Sequence, residues 1–345
     1  MHAMIDPTAE EVASDPEWLP HTFDVEGNNL MFVHVPRAAR QQLLFLTDEY
    51  YEGKFSKASF PANAAARQID SAEKAPIHFI FHTSFCCSTL LAKALDMPGV
   101  STVLREPAVL FHLANRLIKR ADSANHQRIE LVVRLLERPL AGRETVLVKP
   151  TNFSNRLVDV LLTLRPGSKA ILLYSDLESF IQSLLMRGIW GRVVGRRMYN
   201  NLSSWSGLNF GYDQSELLEQ TDVQIAALSW LMHIHHFDGI AKTFGRDRVM
   251  ILDSANLIAD PVAALNEVQA LFGLDLSKDE LAAIANGPAF SKHSKLSGHD
   301  YSVERRQLDH EAVVEKHGEE LSMVTNWLQA VASHLGAPLR PNYRD

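Results

Sequence analysis

One stretch constrains this chain more than any other: Ile77-His-Phe-Ile-Phe-His-Thr-Ser-Phe-Cys-Cys-Ser-Thr-Leu-Leu-Ala-Lys-Ala-Leu95. Ile77 to Phe81 is an apolar run of strand length and reads as a buried strand. A short polar turn follows. Ser88 and Thr89 then open a run with helical spacing, Leu90, Leu91, Ala94 and Leu95. Strand, tight loop and helix start together make a candidate anion site. The first N–H groups of a helix have no internal partner, and its dipole places partial positive charge there. Ser88 and Thr89 add hydroxyl donors for a phosphate.

The pattern downstream repeats the strand-then-helix alternation. Strands are expected at Ser101–Leu104, Thr145–Val148 and Lys169–Tyr174. Helices are expected over 108–121, 124–138 and 154–164. Such alternation predicts an α/β fold, a three-layer sandwich whose central, mostly parallel sheet is covered on both faces and carries helical insertions. Ligands of these sheets bind beyond the carboxyl ends of the strands. The polar clusters at 82–89, 105–106, 149–152 and 175–183 each follow an expected strand. Upstream, residues 1 to about 25 read as a surface extension, with a strand at Asn29–Val35 and a helix over Ala38–Tyr51. Residues 1–74 are therefore taken as an N-terminal extension with an accessory strand and helix, and 75–345 as the main domain. Within that domain, residues 187–222 carry Gly, Arg, Trp and Tyr without clean periodicity and are expected to form an insertion or lid.

Composition narrows the function. A chain of 345 residues with a formal charge of −7 has no global attraction for nucleic acid, so a phosphate site has to be a local basic pocket. The only two cysteines, Cys86 and Cys87, form neither a disulfide framework nor a zinc spacing. No run approaches the ~20 apolar residues of a membrane span, and the acidic N-terminus lacks an apolar signal region. A cytoplasmic protein is expected; oligomeric state is not legible.

The order and spacing of these pieces resemble the sulfotransferase family. These are P-loop proteins that move a sulfuryl group from 3′-phosphoadenosine 5′-phosphosulfate (PAPS) to an acceptor. Five segments carry the likeness over roughly residues 76–275. Cys86-Cys87-Ser88-Thr89-Leu90-Leu91 falls where the family has Ser-Gly-Thr/Ser-Thr-Leu-Leu. Leu104-Arg105-Glu106-Pro107 is similar to an Arg-Glu-Pro element of bacterial and carbohydrate members. Val146 to Pro150 resembles a strand ending in Lys-Pro. Leu172 to Ser183 lies where the family grips the donor's 3′-phosphate with Arg-Asp/Asn-Pro and a helical Ser. Val249 to Leu274 resembles the closing strand, its Leu-x-x-Asp-Pro turn and a helix into Phe-Gly-Leu.

The resemblance implies a P-loop NTPase-like α/β domain, PAPS as co-substrate, no metal, and a small-molecule or carbohydrate acceptor. It places Thr83, Ser84, Cys86, Cys87, Ser88, Thr89, Ser175 and Ser183 around the donor, with Arg305 and Arg306 from a late basic segment that includes Lys292 and Lys295. Glu106 is the first choice of base, His82 the second, and Lys149 the cation nearest the chemistry. The chain also departs from the pattern. Phe85 stands where the family has a Lys or Arg, Cys87 where it has Gly, Ser175 where it has Arg and Leu177 where it has Pro. Each missing cation removes a charge-assisted contact of about 1.5–3 kcal/mol. A catalytically inactive nucleotide- or partner-binding protein of the same fold is thus the alternative.

Other readings fare worse. A Walker-type loop needs Gly-x-x-x-x-Gly-Lys-Ser/Thr, and neither Gly nor Lys occurs between His82 and Thr89. No Gly-x-Ser-x-Gly elbow follows an expected strand. His233, His235 and His236 invite a metal reading, but on a helix 233 and 236 share a face while 235 points away.

Overall fold

A computed structural model of the chain describes residues 7–51, 53–69, 73–140, 142, 144–291 and 303–343. Five strands, β4 (Ile77–His82), β5 (Ser101–Arg105), β6 (Thr145–Lys149), β7 (Ala170–Tyr174) and β8 (Val249–Asp253), form one sheet in the order β5-β6-β4-β7-β8. β5 with β6, β6 with β4, and β7 with β8 pair in parallel. Every residue of β4, β5, β6 and β7 is buried. That is why these strands read as continuous apolar runs rather than alternating ones. With the helices between them, this is the expected α/β fold. No helix among the described residues is long and apolar enough to cross a membrane.

The chain divides into two compact units. The first comprises the described residues up to Ile80 together with Leu95–Ser168, and the second comprises Phe81–Ala94 and the chain from Lys169 onward. The first unit also holds a three-stranded antiparallel sheet of β1 (Trp18–Phe23), β2 (Asn29–His34) and β3 (Lys57–Pro61).

Two N-terminal expectations need correcting, and one mechanism explains both. Residues 18–23 are a mostly buried strand rather than a surface extension. Arg138, itself buried, donates from Nη1 to the carbonyls of Val12, Ala13 and Asp15 and from Nη2 to that of Trp18. Four carbonyls that would otherwise need water are thereby satisfied, and the segment is fixed. The helix expected over 38–51 is interrupted, giving Arg37–Gln42 and Asp48–Tyr51. Arg105 Nη2 donates to the carbonyls of Arg40 (2.5 Å), Gln41 (3.2 Å) and Leu43 (2.8 Å). Carbonyls that a continuing helix would use are held by this guanidinium instead.

In the second unit, residues 188–202 form a helix where sequence periodicity predicted none. Its glycines are contact residues. A Cβ at Gly191 would lie 2.0 Å from the Leu184 carbonyl oxygen, and one at Gly195 would lie 2.6 Å from Ala226 Cβ. Close backbone approach, not an apolar stripe, seats this helix against its neighbours.

Candidate functional site

Four non-glycine residues among those described have a left-handed backbone: Ser84 (φ 77°), Phe85 (53°), Cys87 (62°) and Glu106 (53°). Each costs about 1–2 kcal/mol relative to a right-handed conformation. All four lie in two of the polar clusters that follow strands. Strain concentrated at such positions motivates a functional reading. Cys87 stands where glycine was expected from the resemblance, and it keeps the conformation that glycine would take without strain.

The loop belongs to the second unit. As β4 ends, Thr83 N–H donates to the Leu173 carbonyl (3.1 Å) and Cys86 Sγ donates to the same oxygen (3.4 Å). His82 is buried, and its Nδ1 accepts the N–H of Ser84 at 3.1 Å. That bond requires an unprotonated Nδ1, so this atom is not available as a base. Ser88 and Thr89 are buried and open the helix Ser88–Ala94. Thr89 Oγ1 is enclosed with no hydrogen-bond partner. Phe85 packs edge-on against Phe180, with centroids 5.6 Å apart, and the Arg187 guanidinium lies 5.2 Å from the Phe85 ring centroid.

Following β7, Asp176 caps the helix Leu177–Leu185 by accepting from Ser179 N–H. Ser175 has no exposed surface. Its carbonyl accepts the indole N–H of Trp230 (2.9 Å), while its hydroxyl has no partner. Ser183 is half-buried on the helix. Of the late basic residues, Lys292 and Lys295 lie outside the described residues, as do the side chains of Arg305 and Arg306.

The carboxylate candidate belongs to the first unit. Glu106 directly follows β5; its N–H donates to the Lys149 carbonyl (2.6 Å), and its Oε1 accepts from Lys149 Nζ (2.5 Å). Lys149 ends β6, has no exposed surface, and its Nζ lies 5.4 Å from the centre of the Phe45 ring. Glu106 keeps 15% of its side chain exposed. The buried lysine therefore orients a carboxylate that still reaches solvent. Arg105 does not pair with Glu106: besides holding three carbonyls it faces Asp96 at 3.6 Å. Burial pushes the Arg105 pKa down and that of Asp96 up, with each opposed by the other's charge.

One feature escaped sequence reasoning, and a second was legible only in part. The Glu106–Lys149 pair was hidden because its partners are 43 residues apart. Arg187 was legible in part: Phe180, Ser183 and Arg187 follow at intervals of three and four residues, the spacing of one helix face. His233 is fully buried, and burial, reinforced by His236, pushes its pKa down to about 3. Among the described residues no three potential metal ligands cluster.

No family model matches the chain, and no curated protein matches it. Solved structures similar to it include a sulfotransferase domain from the curacin biosynthetic pathway, at 17% identity and a TM-score of 0.42. That match covers 78% of this chain and 99% of that one. Sulfotransferase STF9 from Mycobacterium avium matches at 13% and 0.42, covering 74% and 81%. Mouse sulfotransferase SULT7A1 complexed with PAP matches at 14% and 0.31, covering 64% and 67%. Scores of this size carry no weight for a shared chemistry, which has to stand on the chain's own residues.

Proposed function

We propose that the chain is a divergent sulfotransferase, moving a sulfuryl group from PAPS to a hydroxyl or amine of a small-molecule or carbohydrate acceptor. The observation that carries this reading is the confinement, among the described residues, of left-handed, non-glycine backbone to the 84–87 loop and Glu106. These are the segments whose motifs carry the family resemblance. Strain of this kind persists where the surrounding structure holds it for a purpose.

In the proposed reaction the loop 83–89 holds the donor phosphates and Ser183 contributes from the following helix. The acceptor oxygen or nitrogen forms a bond to sulfur while the bond from sulfur to the bridging oxygen breaks. The electron pair leaves with 3′-phosphoadenosine 5′-phosphate. Glu106 takes the acceptor's proton, and Lys149 fixes the carboxylate's orientation without touching substrate. Glu106 is preferred to His82 because the Nδ1 atom of the imidazole already accepts from Ser84 N–H. Positioning and electrostatic stabilisation supply the rate, as in phosphoryl transfer.

Incubation with sulfur-labelled PAPS and a panel of phenols, sugars and amines tests the reading. Transfer to at least one acceptor is expected, and Glu106→Gln is expected to abolish it while leaving product-nucleotide binding intact. Absence of both transfer and nucleotide binding overturns the reading. A second reading, a nucleotide-binding protein without turnover, is favoured by the aromatic Phe85 and the enclosed Ser175. Binding without transfer to any acceptor would select it.

A further inference from the structure

Arg187 is the residue in the second unit whose surroundings least explain it. Met186 and Arg187 prolong the path of the helix Leu177–Leu185, their N–H groups donating to the carbonyls of Gln182 (3.0 Å) and Leu184 (3.1 Å). Gly188, with φ at 57°, then turns the chain. The guanidinium carbon lies over two aromatic rings, 5.2 Å from the centroid of Phe85 and 5.6 Å from that of Trp190. Its Nε is buried with no hydrogen-bond partner, and no carboxylate among the described residues pairs with it. Burial alone pushes its pKa down.

Stacking on rings orients a guanidinium but leaves its in-plane N–H donors available. Arg187 is half-buried, and its enclosed Nε–H is a donor that an anion would satisfy. The ring it stacks on belongs to the loop residue that stands where a cation was expected. Phe180, which packs on the same ring, and Ser183 share the helix face that leads to Arg187. Phe85 thus replaces the expected charge with a surface that carries a charge from elsewhere.

We propose that Arg187 is the anion-binding cation of the 83–89 loop, donating to a phosphate or sulfate oxygen of the nucleotide donor; the identity of that ligand rests on the proposed sulfotransferase reading. A guanidinium held over Phe85 and Trp190 offers a fork for two oxygens, which a lysine in the loop would not. Arg192, one turn further on, differs in kind: it donates to both oxygens of Glu320, at 3.3 and 3.2 Å.

The test uses calorimetric titration of the full chain with inorganic pyrophosphate and with 3′-phosphoadenosine 5′-phosphate, on wild type, Arg187→Gln, Arg187→Lys and Arg192→Gln. Arg187→Gln is expected to weaken both ligands at least tenfold. Arg187→Lys should recover part of the loss, and Arg192→Gln should bind as wild type does. The melting temperature of Arg187→Gln should match or exceed that of wild type, since a desolvated, unpaired charge is removed. Wild-type affinity for the nucleotide within twofold in Arg187→Gln overturns the inference and leaves the sulfotransferase reading standing. Pyrophosphate binding that depends on Arg187, without any nucleotide binding, does the reverse. Failure of wild type to bind either ligand at millimolar concentration overturns both.

Discussion

Arg138 in the first unit, buried, and Arg187 in the second, half-buried, show two uses of a guanidinium. Arg138 is buried with its donors committed to backbone: Nε to Leu135, Nη1 to Val12, Ala13 and Asp15, and Nη2 to Trp18. It has no room for a ligand because the chain itself is the ligand. Arg187 has two aromatic rings, an unpartnered Nε and, among the described residues, no carboxylate. The difference extends to their surroundings. Around Arg138 and Arg105, backbone carbonyls are satisfied by side chains. Beside Arg187 is the ring of left-handed Phe85, in a loop that also holds left-handed Ser84 and Cys87; in the same unit the buried hydroxyls of Thr89 and Ser175 have no partner. A fold satisfies its polar groups where nothing is to bind. In the proposed reading, the bound nucleotide completes the Arg187 Nε and the Thr89 hydroxyl.

The largest expected effect separates the two arginines. Arg138→Ala strands several carbonyls, each costing about 1–3 kcal/mol when unsatisfied, so stability should fall by at least about 3 kcal/mol in urea denaturation. Arg187→Gln should stay within about 1 kcal/mol of wild type. Equal losses would erase the contrast. Glu106, the one left-handed residue outside glycine among the described residues of the first unit, sharpens it. Glu106→Gln keeps the shape and removes the proton acceptor. Turnover should fall at least about a hundredfold, the lower range for general-base catalysis, with nucleotide affinity unchanged. Unchanged turnover removes Glu106 as the base.

A third prediction concerns a side chain that is buried and neutral. The folded state holds the His233 pKa down at about 3, whereas the unfolded chain takes up a proton near pH ~6.5. Below ~6.5 the unfolded state therefore binds more protons, and stability is lost as pH falls toward 3, by about 1.4 kcal/mol per unit. From pH 6.5 to 5 that is about 2 kcal/mol. Burial also pushes His21 and His112 downward, adding to the slope with the same sign. His233→Phe should flatten the pH dependence of the urea midpoint, and an unaltered slope would contradict the assignment.

The smallest effect is at Cys87. Left-handed strain of about 1–2 kcal/mol is relieved in Cys87→Gly, against about 0.5–1 kcal/mol for the greater freedom of glycine in the unfolded chain. Stability should therefore rise slightly, by less than about 1 kcal/mol. A clear loss would mean that the thiol's contacts outweigh the strain.

The parallel sheet was legible because strands buried on both faces write themselves as runs such as Phe79-Ile80-Phe81 and Ile171-Leu172-Leu173. Each polar cluster after a strand could be placed for the same reason. The N-terminal strand was not legible, because Pro20 and His21 interrupt its pattern and its register shifts between Pro20 and Thr22. The helix through residues 188–202 was hidden by glycines chosen for close packing, which periodicity does not detect. Within the candidate site, Glu106 and Lys149 were legible as strand-end residues but not as a pair. Lys149 was read as a cation for the reaction; that it is wholly enclosed and paired with Glu106 was not legible. Phe85 was read as a lost charge. That a guanidinium stacks on it depends on contact between residues 102 positions apart, which no local pattern encodes.

The most direct measurement is a crystal structure of the chain grown with 3′-phosphoadenosine 5′-phosphate. Phosphate oxygens within hydrogen-bond distance of the 85–89 backbone N–H groups, with the Arg187 guanidinium donating to one of them, are the predicted result. A nucleotide bound away from the loop, or a loop that stays empty at millimolar nucleotide, would contradict the account.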